Sequence, residues 1–439
     1  ASKLFKWGAN VIVVLTDGSP VNPDSIQTFA TLNTLRIPVL SYTENKERIL
    51  KCLATADMVI DAMYGIGFKG ELTALQREIT CAINASPALV AALDIPSGVN
   101  ADTAYADIDA VCADYTIVFE CLKPAHLFTK ELSCLGSLQL IEIGIPPAAY
   151  EGITSNYIEC DNTILFHYLK PKPINSYKGS AGRLLNVAGS IGMAGAAVMS
   201  TQAALSSGTG YVTLAIPQEL YPHITPHLVS PVCLLLKPGS ELYSLLCAMK
   251  KSDAVSIGCG LGSEPWLTST VNYLIENCKV PMVIDADGIN ALSSDITILK
   301  RAGSSIILTP HLGEFAKLTG LSTQQISRNK LTLAVEFSRE HNVVLVLKGA
   351  NTVVTSPDGL VYVNNTGNPG LAKAGSGDIL TGIIASLTAQ GIPPYAAAVC
   401  GVYLHGISAD RCSLRLSQYS MQPLDILSDM CDIFRENNR

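Results

Sequence analysis

The sequence has little charge and no long hydrophobic run. Only 15% of its 439 residues are charged, and the net charge at pH 7 is −7. Proteins that bind nucleic acid are normally basic, so we expect no nucleic-acid partner. No apolar run reaches the ~18 residues that a membrane-spanning helix needs, so we expect no membrane partner either.

The sequence also lacks any pair of cysteines with C-x-x-C spacing. Its 13 cysteines are scattered along the chain, which predicts neither a disulfide framework nor a zinc site. No secretory signal is visible at the start of the chain. Together these absences favour a reducing compartment, and we predict that the protein is cytoplasmic.

The first residues have an unusual pattern for the start of a domain. Residues 1–10 have the pattern of the end of a helix, closed by Gly8, and no methionine precedes them. A domain that opens in the middle of a helix has lost its beginning. We therefore expect the N-terminal part of the first domain to be missing.

Apolar residues, by contrast, are abundant at 48%, which is typical of large parallel sheets buried on both faces. In the first half, short apolar runs predict strands, and these alternate with helical patterns such as Thr73–Asn84. The predicted strands are Val11–Leu15, Met58–Asp61, Leu89–Asp94, Tyr115–Phe119 and an edge strand within 136–147. This alternation predicts βαβ units around a parallel sheet.

The second half shows the same alternation, with predicted helices at Ala194–Ser206 and Thr323–Glu340. Its predicted strands are Leu184–Ala188, Tyr211–Ile216, Ala254–Ile257, Pro281–Ile284, Ser305–Leu308 and Val343–Leu347. We expect a doubly wound α/β/α domain. The stretch 146–176 has few periodic segments and several prolines, so we predict domains at 1–155 and 156–439.

The stretch 365–382 is the most informative part of the chain. Its glycines and proline predict an irregular turn up to Ala374, and Ile379–Leu387 has the pattern of an apolar helix. A glycine-rich turn that opens a helix offers free backbone N–H groups and the positive end of the helix dipole, which favours an anion. Asp378 at the helix start is suited to act as a base or to hold a substrate hydroxyl or a metal ion. The alternative is a plain helix N-cap.

Other polar residues follow the predicted strands of the second half, where ligands of parallel sheets bind. A glycine run at 258–262, acidic residues at 285–288, His311 and Lys348 each follow one strand. A lysine there can face a phosphate, whereas a single histidine is most often structural. No G-x-x-x-x-G-K-[ST] motif is present, which excludes a Walker-type nucleotide site.

In the first half, Asp61 and Asp94 each stand at the end of a predicted strand and precede a turn rich in glycine or proline. Two such acids on neighbouring strands indicate a shared pocket, although aspartates that only cap loops remain an alternative. Lys123 follows the strand Tyr115–Phe119. A single lysine in that position is usually a solvated surface residue.

The motifs of the second half resemble those of the nucleotide-dependent NAD(P)H-hydrate dehydratases, which have a ribokinase-like fold. They are Lys178-Gly179-x-x-Gly182, Gly258-x-Gly260-x-Gly262, Asp285-Ala286-Asp287-Gly288, Thr309-Pro310-His311-x-Gly313-Glu314, Lys348-Gly349-x-x-Thr352 and Gly375-Ser376-Gly377-Asp378. The first half is similar to NAD(P)H-hydrate epimerase, through Asp61-Ala62-x-x-Gly65-x-Gly67 and Asp94-Ile95-Pro96-Ser97-Gly98-Val99-Asn100. The pair resembles the bifunctional nicotinamide-nucleotide repair enzymes.

This resemblance implies two α/β/α three-layer domains, an incomplete Rossmann-like domain followed by a ribokinase-like domain. It implies dehydration of the S epimer of NAD(P)H-hydrate (NADHX and NADPHX) to NAD(P)H at the expense of a nucleotide, which we expect to be ADP rather than ATP. The first domain would interconvert the R and S epimers. Mg²⁺ and K⁺ are the implied metals, and we expect a homo-oligomer.

The resemblance also assigns roles to residues, with Asp378 and Asp94 as the catalytic groups. In the dehydratase, the hydrate would contact Ala196, Gly262, His311 and Asp378, and ADP would contact Lys348, Gly349, Ala350, Asn351, Thr352 and Gly377. In the epimerase, the hydrate would contact Gly65, Ile66, Gly67, Phe68, Lys69, Gly70, Glu71 and Asp94, with Lys123 as a further candidate. Asp61 and Ser97 would be the K⁺ ligands.

One feature departs from the epimerase family. That family has an Asn-Asn-Gly-Gly-Asp-Gly loop that helps to bind the substrate phosphates and potassium, and this sequence contains no such loop. We expect Asp61 and Asp94 to face each other across a site that lacks a ligand. We also expect sheet surface to be uncovered, which favours association or local disorder, and epimerisation to be slow or absent.

Two other functions stay open. A ribokinase-like kinase for a small molecule, such as a vitamin precursor, has a similar Gly-Ser/Thr-Gly-Asp turn, but the epimerase-like first half argues against it. A non-catalytic nucleotide-binding protein is the second alternative.

Overall fold

The computed structural model describes residues 1–263 and 266–437. The chain divides into two compact units, Ala1–Glu151 and Gly152–Arg439. Within the described residues, no helix combines the length and the apolar character that crossing a membrane requires.

Unit 1 alternates helices and strands as predicted. Its helices are α1 (Ser2–Lys6), α2 (Pro23–Thr34), α3 (Tyr42–Leu53) and α4 (Ala74–Asn84), and its strands are β1 (Val13–Leu15), β2 (Val39–Ser41), β3 (Met58–Asp61), β4 (Leu89–Leu93), β5 (Tyr115–Phe119) and β6 (Ser137–Ile141). Strands β1 and β2 pair in one parallel sheet, and β3, β4, β5 and β6 pair in that order in another.

Helix α4 shows why a helix forms at this point of unit 1. Thr73 caps it by accepting a hydrogen bond from the Gln76 amide, and the Gln76 side chain accepts one from the Thr73 amide. This reciprocal capping satisfies two N–H groups that the helix itself leaves free. Ile79 and Ile83 lie on one face of α4 and pack into the core beside Val90 of β4.

Unit 2 is built around one sheet of ten strands. They are β7 (Tyr157–Ile158), β8 (Arg183–Val187), β9 (Tyr211–Pro217), β10 (Val232–Leu236), β11 (Ala254–Ile257), β12 (Met282–Ile284), β13 (Ile306–Leu308), β14 (Val344–Leu347), β15 (Val353–Thr355) and β16 (Val361–Val363). Their order is β10-β9-β8-β11-β12-β13-β14-β15-β16-β7. The strands from β10 to β14 are parallel, and β15 runs antiparallel to both neighbours.

The helices of unit 2 are α5 (Asn162–Tyr168), α6 (Ala194–Ser206), α7 (Tyr221–Ile224), α8 (Glu241–Met249), α9 (Leu267–Asn277), α10 (Ala286–Leu292), α11 (Leu312–Thr319), α12 (Thr323–Arg328), α13 (Lys330–His341), α14 (Ser376–Ala389), α15 (Pro394–Ser420) and α16 (Ile426–Asn437). Every residue of β11, β12, β13 and β14 is buried. Successive side chains of a strand point to opposite faces of the sheet. Both faces are therefore covered, as in the three-layer α/β/α architecture that we predicted.

One predicted helix is wrong. The stretch Thr323–Glu340 forms two helices, because Asn329 has φ −134° and ψ 29° and separates α12 from α13. Asparagine disfavours helix interiors, because its side chain competes for backbone hydrogen bonds. The apolar pattern continues through Asn329 and does not reveal this break.

Helices α6 and α14 pack closely through small residues. A Cβ atom on Gly382 of α14 would lie 2.8 Å from the Ala203 Cβ and would collide with the Ser200 carbonyl oxygen on α6. Helix α14 also carries the predicted anion turn at its start. Gly382 therefore allows α14, the helix that carries the turn, to pack close to α6.

We predict that Gly382→Ala destabilises unit 2 by roughly 1–3 kcal/mol, the usual cost of overpacking a core. Urea unfolding of the full chain measures it. The control is Gly195→Ala on α6, where the nearest atom to a new Cβ is Met199 Cε at 4.0 Å. That variant should be neutral or gain up to roughly 1 kcal/mol. Equal midpoints for the two variants would contradict the close helix contact.

Candidate active sites

The glycine turn of unit 2 opens helix α14 without a side-chain cap. Gly375 occupies the N-cap position with φ +100°, and Ser376, Gly377 and Asp378 form the first helical turn. The positive φ favours glycine at position 375, and the end of the flexible Met199 side chain would have to move to admit a Cβ there. Asp378 is not the N-cap, and the interpretation of Asp378 as a plain cap is wrong.

The segment before this turn is fastened to helix α15. The Gly367 amide donates to Asp410 Oδ2 at 2.8 Å, and the Asn368 side-chain amide donates to the Ala409 carbonyl at 2.9 Å and to Asp410 Oδ1 at 3.1 Å. Lys373 donates to the Tyr419 carbonyl at 2.8 Å. These bonds hold the turn in one conformation before any ligand arrives.

A buried carboxylate joins three elements beneath the turn. Asp285 precedes α10 and is 1% exposed. Its Oδ1 accepts from Lys348 Nζ at 2.9 Å, and its Oδ2 accepts from Thr381 Oγ1 at 2.8 Å. Lys348 follows β14, and Thr381 lies on α14. Asp285 thereby ties the end of β14 to the start of α14.

Asp378 lies beside this ion pair. One ligand-type atom of each of Cys259, Asp285 and Asp378 lies within 4.8 Å of the others. Burial first, and then the charge of Asp285, raise the pKa of Asp378 to about 6, while Cys259 and Lys348 act in the opposite direction. A carboxylate that titrates close to neutral pH is suited to take a proton from a substrate.

The neighbouring lysine stays charged. Burial alone would lower the pKa of Lys348, but the carboxylates of Asp285 and Glu314 outweigh it and raise the pKa. A Cβ on Gly377 would lie 3.3 Å from Lys348 Nζ. The backbone of the turn and a buried ammonium group therefore meet at one point, which suits a phosphate.

Behind the turn, His405 of α15 is buried and neutral. Its pKa is lowered to about 4, by burial first and then by the charge of Lys348. The side-chain atoms His405 Nε2, Ser376 Oγ and Ser408 Oγ have no hydrogen-bond partner among the described residues. A neutral imidazole adds no second positive charge beside Lys348, and Asp285 and Glu314 stabilise the charge of Lys348.

His311 caps helix α11. Its Nδ1 accepts from the amides of Gly313 at 2.9 Å and Glu314 at 3.2 Å, and Glu314 Oε2 accepts from the His311 amide at 2.8 Å. A ring that accepts through Nδ1 carries its proton on Nε2 when neutral. The side chain is 59% exposed, and its Nε2 lies 3.4 Å from Glu314 Oε1. Nδ1 therefore serves the fold, while the exposed part of the ring can contact a ligand.

The predicted hydrate contact Gly262 lies in the loop after β11, and the predicted contact Ala196 lies in the first turn of α6, which follows β8. The Gly262 amide donates to Asp287 Oδ2 at 2.7 Å. A Cβ on Gly260 would lie 2.7 Å from the Ala196 Cβ. The loop after β11 therefore packs closely against the start of α6, and this contact needs small residues.

The stretch 348–352 is a closed turn between β14 and β15. The Gly349 amide donates to Thr352 Oγ1 at 3.3 Å, and that hydroxyl donates to the Gly349 carbonyl at 3.1 Å. Gly349 and Ala350 are exposed. Asn351 is fully buried and donates to the Asn364 carbonyl at 3.1 Å, so its side chain serves the fold and faces away from solvent.

In unit 1, the predicted potassium ligands lie in contact. Asp61, at the end of β3, accepts from Ser97 Oγ at 2.6 Å through Oδ1 and from the Ser97 amide at 2.7 Å through Oδ2. Burial raises the pKa of Asp61. A buried carboxylate is stabilised by a nearby cation, and hard cations prefer oxygen ligands. Ser97 Oγ also accepts from the Tyr64 amide at 3.0 Å, so both predicted potassium ligands already have hydrogen-bond partners, and their oxygen atoms match the preference of a potassium ion.

Asp94, at the end of β4, has a different partner from the one expected. Its Oδ1 accepts from Lys123 Nζ at 2.5 Å and from the Phe119 amide at 3.1 Å. Lys123 is 17% exposed, so its interpretation as a solvated surface residue is wrong. The Asp94 backbone has φ +65°, which is unfavourable for a residue with a Cβ and is typical of functional sites.

A buried histidine holds the Asp94 and Lys123 backbones together. His126 is 1% exposed, its Nε2 bonds the Asp94 carbonyl at 2.8 Å, and its Nδ1 accepts from the Lys123 amide at 2.9 Å. Burial is the main reason that its pKa is lowered. No sequence pattern singles out His126, because its two partners lie on different segments.

The loop 65–71 of unit 1 is anchored at its centre and its end. Phe68 is buried, and its carbonyl accepts from Asn100 Nδ2 at 3.2 Å. After the loop, the Leu72 amide donates to Asp107 Oδ2 at 3.0 Å, and Arg77 pairs with both oxygens of Asp107 at 2.8 Å. Ile66, Gly67, Lys69, Gly70 and Glu71 are exposed, and Gly65 is half-buried. The Phe68 ring packs in the protein, and the other six residues can face a ligand.

Two family models match this chain. The model of NAD(P)H-hydrate dehydratase matches residues 184–431. The model described as YjeF-related protein N-terminus matches residues 1–125. Unit 2 therefore contains a domain of the NAD(P)H-hydrate dehydratase class.

Individual relatives agree. A bifunctional NAD(P)H-hydrate repair enzyme of Moorella thermoacetica is 36% identical over 390 residues, which are 87% of this chain and 74% of that protein. An ADP-dependent (S)-NAD(P)H-hydrate dehydratase of Neisseria meningitidis is 38% identical over 247 residues, 56% of this chain and 81% of that protein.

A solved structure also resembles this chain. An ADP/ATP-dependent NAD(P)H-hydrate dehydratase from Bacillus subtilis, co-crystallized with ATP and Mg²⁺, has a TM-score of 0.55 and 28% identity and covers 63% of this chain and 97% of its own. The chain belongs to the family of bifunctional NAD(P)H-hydrate repair enzymes. The resemblance inferred from the motifs is confirmed.

We predict that Asp107→Ala destabilises unit 1 by on the order of 3 kcal/mol, because it removes the acceptor of two amides and the partner of Arg77. Thermal unfolding followed by circular dichroism measures it. The control is Asp102→Ala, an exposed residue of the same region, which should change stability by less than about 0.5 kcal/mol. Equal effects of the two substitutions would show that the Asp107 network does not stabilise the loop.

Proposed function

We propose that residues 152–439 dehydrate the S epimer of NAD(P)H-hydrate, NADHX or NADPHX, to NAD(P)H and consume a nucleotide, ADP in preference to ATP. We propose further that residues 1–151 carry the epimerase site for the R and S forms. The observation that carries the first proposal is the meeting of Gly377, Lys348 and Asp378 at the start of α14.

The chemistry explains why a nucleotide is needed. The hydrate carries a hydroxyl on C6 of its nicotinamide ring, and hydroxide is a poor leaving group. In this proposal the hydroxyl oxygen attacks the terminal phosphorus of ADP, the bond from that phosphorus to AMP breaks, and Asp378 takes the hydroxyl proton. Phosphate then leaves C6 with the bonding electrons and takes the proton that C5 loses, and the double bond between C5 and C6 is restored.

The side chains have distinct tasks in this proposal. The amides of the turn and Lys348 stabilise the negative charge that develops on the transferred phosphoryl group. Gly349, Ala350 and Thr352 hold the nucleotide, and the buried Asn351 holds the turn that carries them. Ala196, Gly262 and the Nε2 edge of His311 contact the hydrate, so that its hydroxyl lies near Asp378.

Mg²⁺ would lower the charge of the diphosphate. Both oxygens of Asp285 are occupied by Lys348 and Thr381, so Asp285 is a poor magnesium ligand. Mg²⁺ often keeps its waters and binds mainly through substrate phosphates. We therefore propose that the diphosphate and water hold Mg²⁺ in unit 2, and that Asp61 and Ser97 bind K⁺ in unit 1.

In unit 1, we propose that the hydrate binds along the loop 65–71 and that Asp94, with its partner Lys123, moves the proton during epimerisation. A carboxylate and an ammonium group in contact suit a step in which a proton is taken and returned. We also propose a cytoplasmic location, which the absence of disulfides among the 13 cysteines supports. Exposed apolar residues at the sheet edge, Leu140 at 57% and Ile141 at 45%, support a homo-oligomer.

We predict that Asp378→Asn keeps the fold but lowers turnover of the S hydrate on the order of 10²-fold or more, because the general base is lost. The measurement is recovery of NADH absorbance with ADP, with ATP and with no nucleotide. Asp358→Asn, at an exposed turn, is the control and should leave turnover unchanged. Substantial activity in folded Asp378→Asn protein would remove the base assignment, and a stable phosphorylated product would favour the kinase alternative.

We predict that Asp94→Asn lowers use of the R hydrate to the rate of spontaneous epimerisation and leaves use of the S hydrate unchanged, because Asp94 is the proposed proton-transfer group of unit 1. The assay supplies the R or the S epimer with ADP and excess chain and compares NADH recovery with the spontaneous rate. Use of R by folded Asp94→Asn protein that is as fast as in the unchanged chain would contradict the prediction.

A further inference from the structure

We infer that Asp285 is a positioning residue for the dehydration: it holds Lys348 and the start of α14 in place and keeps Asp378 able to accept a proton. This inference rests on the proposed function of unit 2. It goes further because Asp285 has no proposed contact with the hydrate or the nucleotide. Its role is inferred from its contacts with Lys348 and Thr381.

The contacts of Asp285 reach both proposed active groups. Its Oδ1 holds Lys348 Nζ at 2.9 Å, and the backbone of Gly377 approaches the same ammonium group. Its Oδ2 holds Thr381 Oγ1 at 2.8 Å. Thr381 follows Asp378 by three positions on α14, so both side chains lie on one face of the helix. One carboxylate therefore fixes the position of the cation and the orientation of the base.

The second role of Asp285 is electrostatic. A carboxylate that is 1% exposed is poorly screened by water, and its charge acts strongly on a neighbouring acid. Asp285 and Asp378 each have an oxygen in the group of atoms that lie within 4.8 Å of one another. The like charge makes the ionised form of Asp378 less stable and therefore a stronger base.

Four groups face Asp378 from the elements around it. Asp285 and Asp287 come from the start of α10, Lys348 from the end of β14 and Cys259 from the loop after β11. After burial, Asp285 is the largest influence on the pKa of Asp378 and raises it, and Asp287 raises it less. Cys259 and Lys348 lower it. Removing the charge of Asp285 should therefore make Asp378 more acidic.

The test is the pH dependence of kcat/KM for the S hydrate at saturating ADP, in the chain and in Asp285→Asn. The acid limb reports the group that must be ionised before the hydrate binds. We expect Asp285→Asn to move that limb to lower pH by about one unit, because the like charge is gone. Asp287→Asn is the matched control on the same helix and should move it less. An unmoved limb in active Asp285→Asn protein overturns the inference.

A second pair of variants covers the case in which Asp285→Asn does not fold because Lys348 is left unpaired. Lys348→Gln alone should move the acid limb to higher pH, since a positive charge beside Asp378 is lost. Lys348→Gln combined with Asp285→Asn removes both charges of the ion pair and should move the limb to lower pH than Lys348→Gln alone. Identical limbs in these two variants overturn the electrostatic role of Asp285.

A stability measurement keeps the inference testable if the chain does not dehydrate the hydrate, an outcome that would refute only the proposed function. The pKa of Asp378 is raised to about 6 in the folded chain, above its unfolded value of about 3.9. Ionising it therefore costs stability as pH rises through this window. Asp378→Asn avoids that cost. The Tm of this variant minus the Tm of the unchanged chain should therefore rise between about pH 4 and pH 6.

The same Tm difference is then measured in the Asp285→Asn background. If Asp285 acts on Asp378, the rise in Tm that Asp378→Asn causes should be smaller in this background. The rise should also reach its full size at a lower pH. An identical curve in both backgrounds, at any level of enzyme activity, overturns the inference.

Discussion

The buried ion pair of Lys348 and Asp285 is the interaction on which the site of unit 2 depends. Removing two charges from water costs several kcal/mol per ion, and their attraction repays that cost only if the remaining atoms are also bonded. The Thr381 hydroxyl supplies the additional bond to Asp285. The pair is therefore better understood as a device that specifies geometry than as a source of stability. It joins the end of β14 to the starts of α10 and α14 at the edge where the glycine turn lies.

Much of this arrangement could be predicted from residues alone, because local patterns determine it. Strands β3, β5 and β11 and helix α6 begin and end at the predicted residues. Short apolar runs between turn residues leave little freedom in where an element starts and stops. The glycine turn before α14 was predicted because only glycine tolerates such backbone angles. The site residues at strand ends follow from the geometry of parallel sheets, which bring the carboxyl ends of strands to one edge.

The rest could not be predicted, because it depends on contacts between distant segments. Nothing local tells that Thr381 bonds Asp285, that Lys123 pairs with Asp94, or that His126 joins the Asp94 and Lys123 backbones. The break at Asn329 also escaped prediction, since the apolar pattern runs through it. In both units, the proposed active acid has a neighbour that only the three-dimensional structure reveals: Asp285 for Asp378 and Lys123 for Asp94.

The sulfur atom at the centre of the dehydratase site has a consequence for where such an enzyme can work. Oxidants and electrophiles attack the thiolate form of cysteine, not the thiol. Burial, and then the nearby carboxylates Asp378 and Asp285, raise the pKa of Cys259 far above its usual range, which keeps it a protonated, inaccessible thiol. Exposed cysteines such as Cys121 and Cys247 would be modified first. The thiol at the proposed catalytic centre is therefore protected from oxidation by its burial and by the acids that surround it.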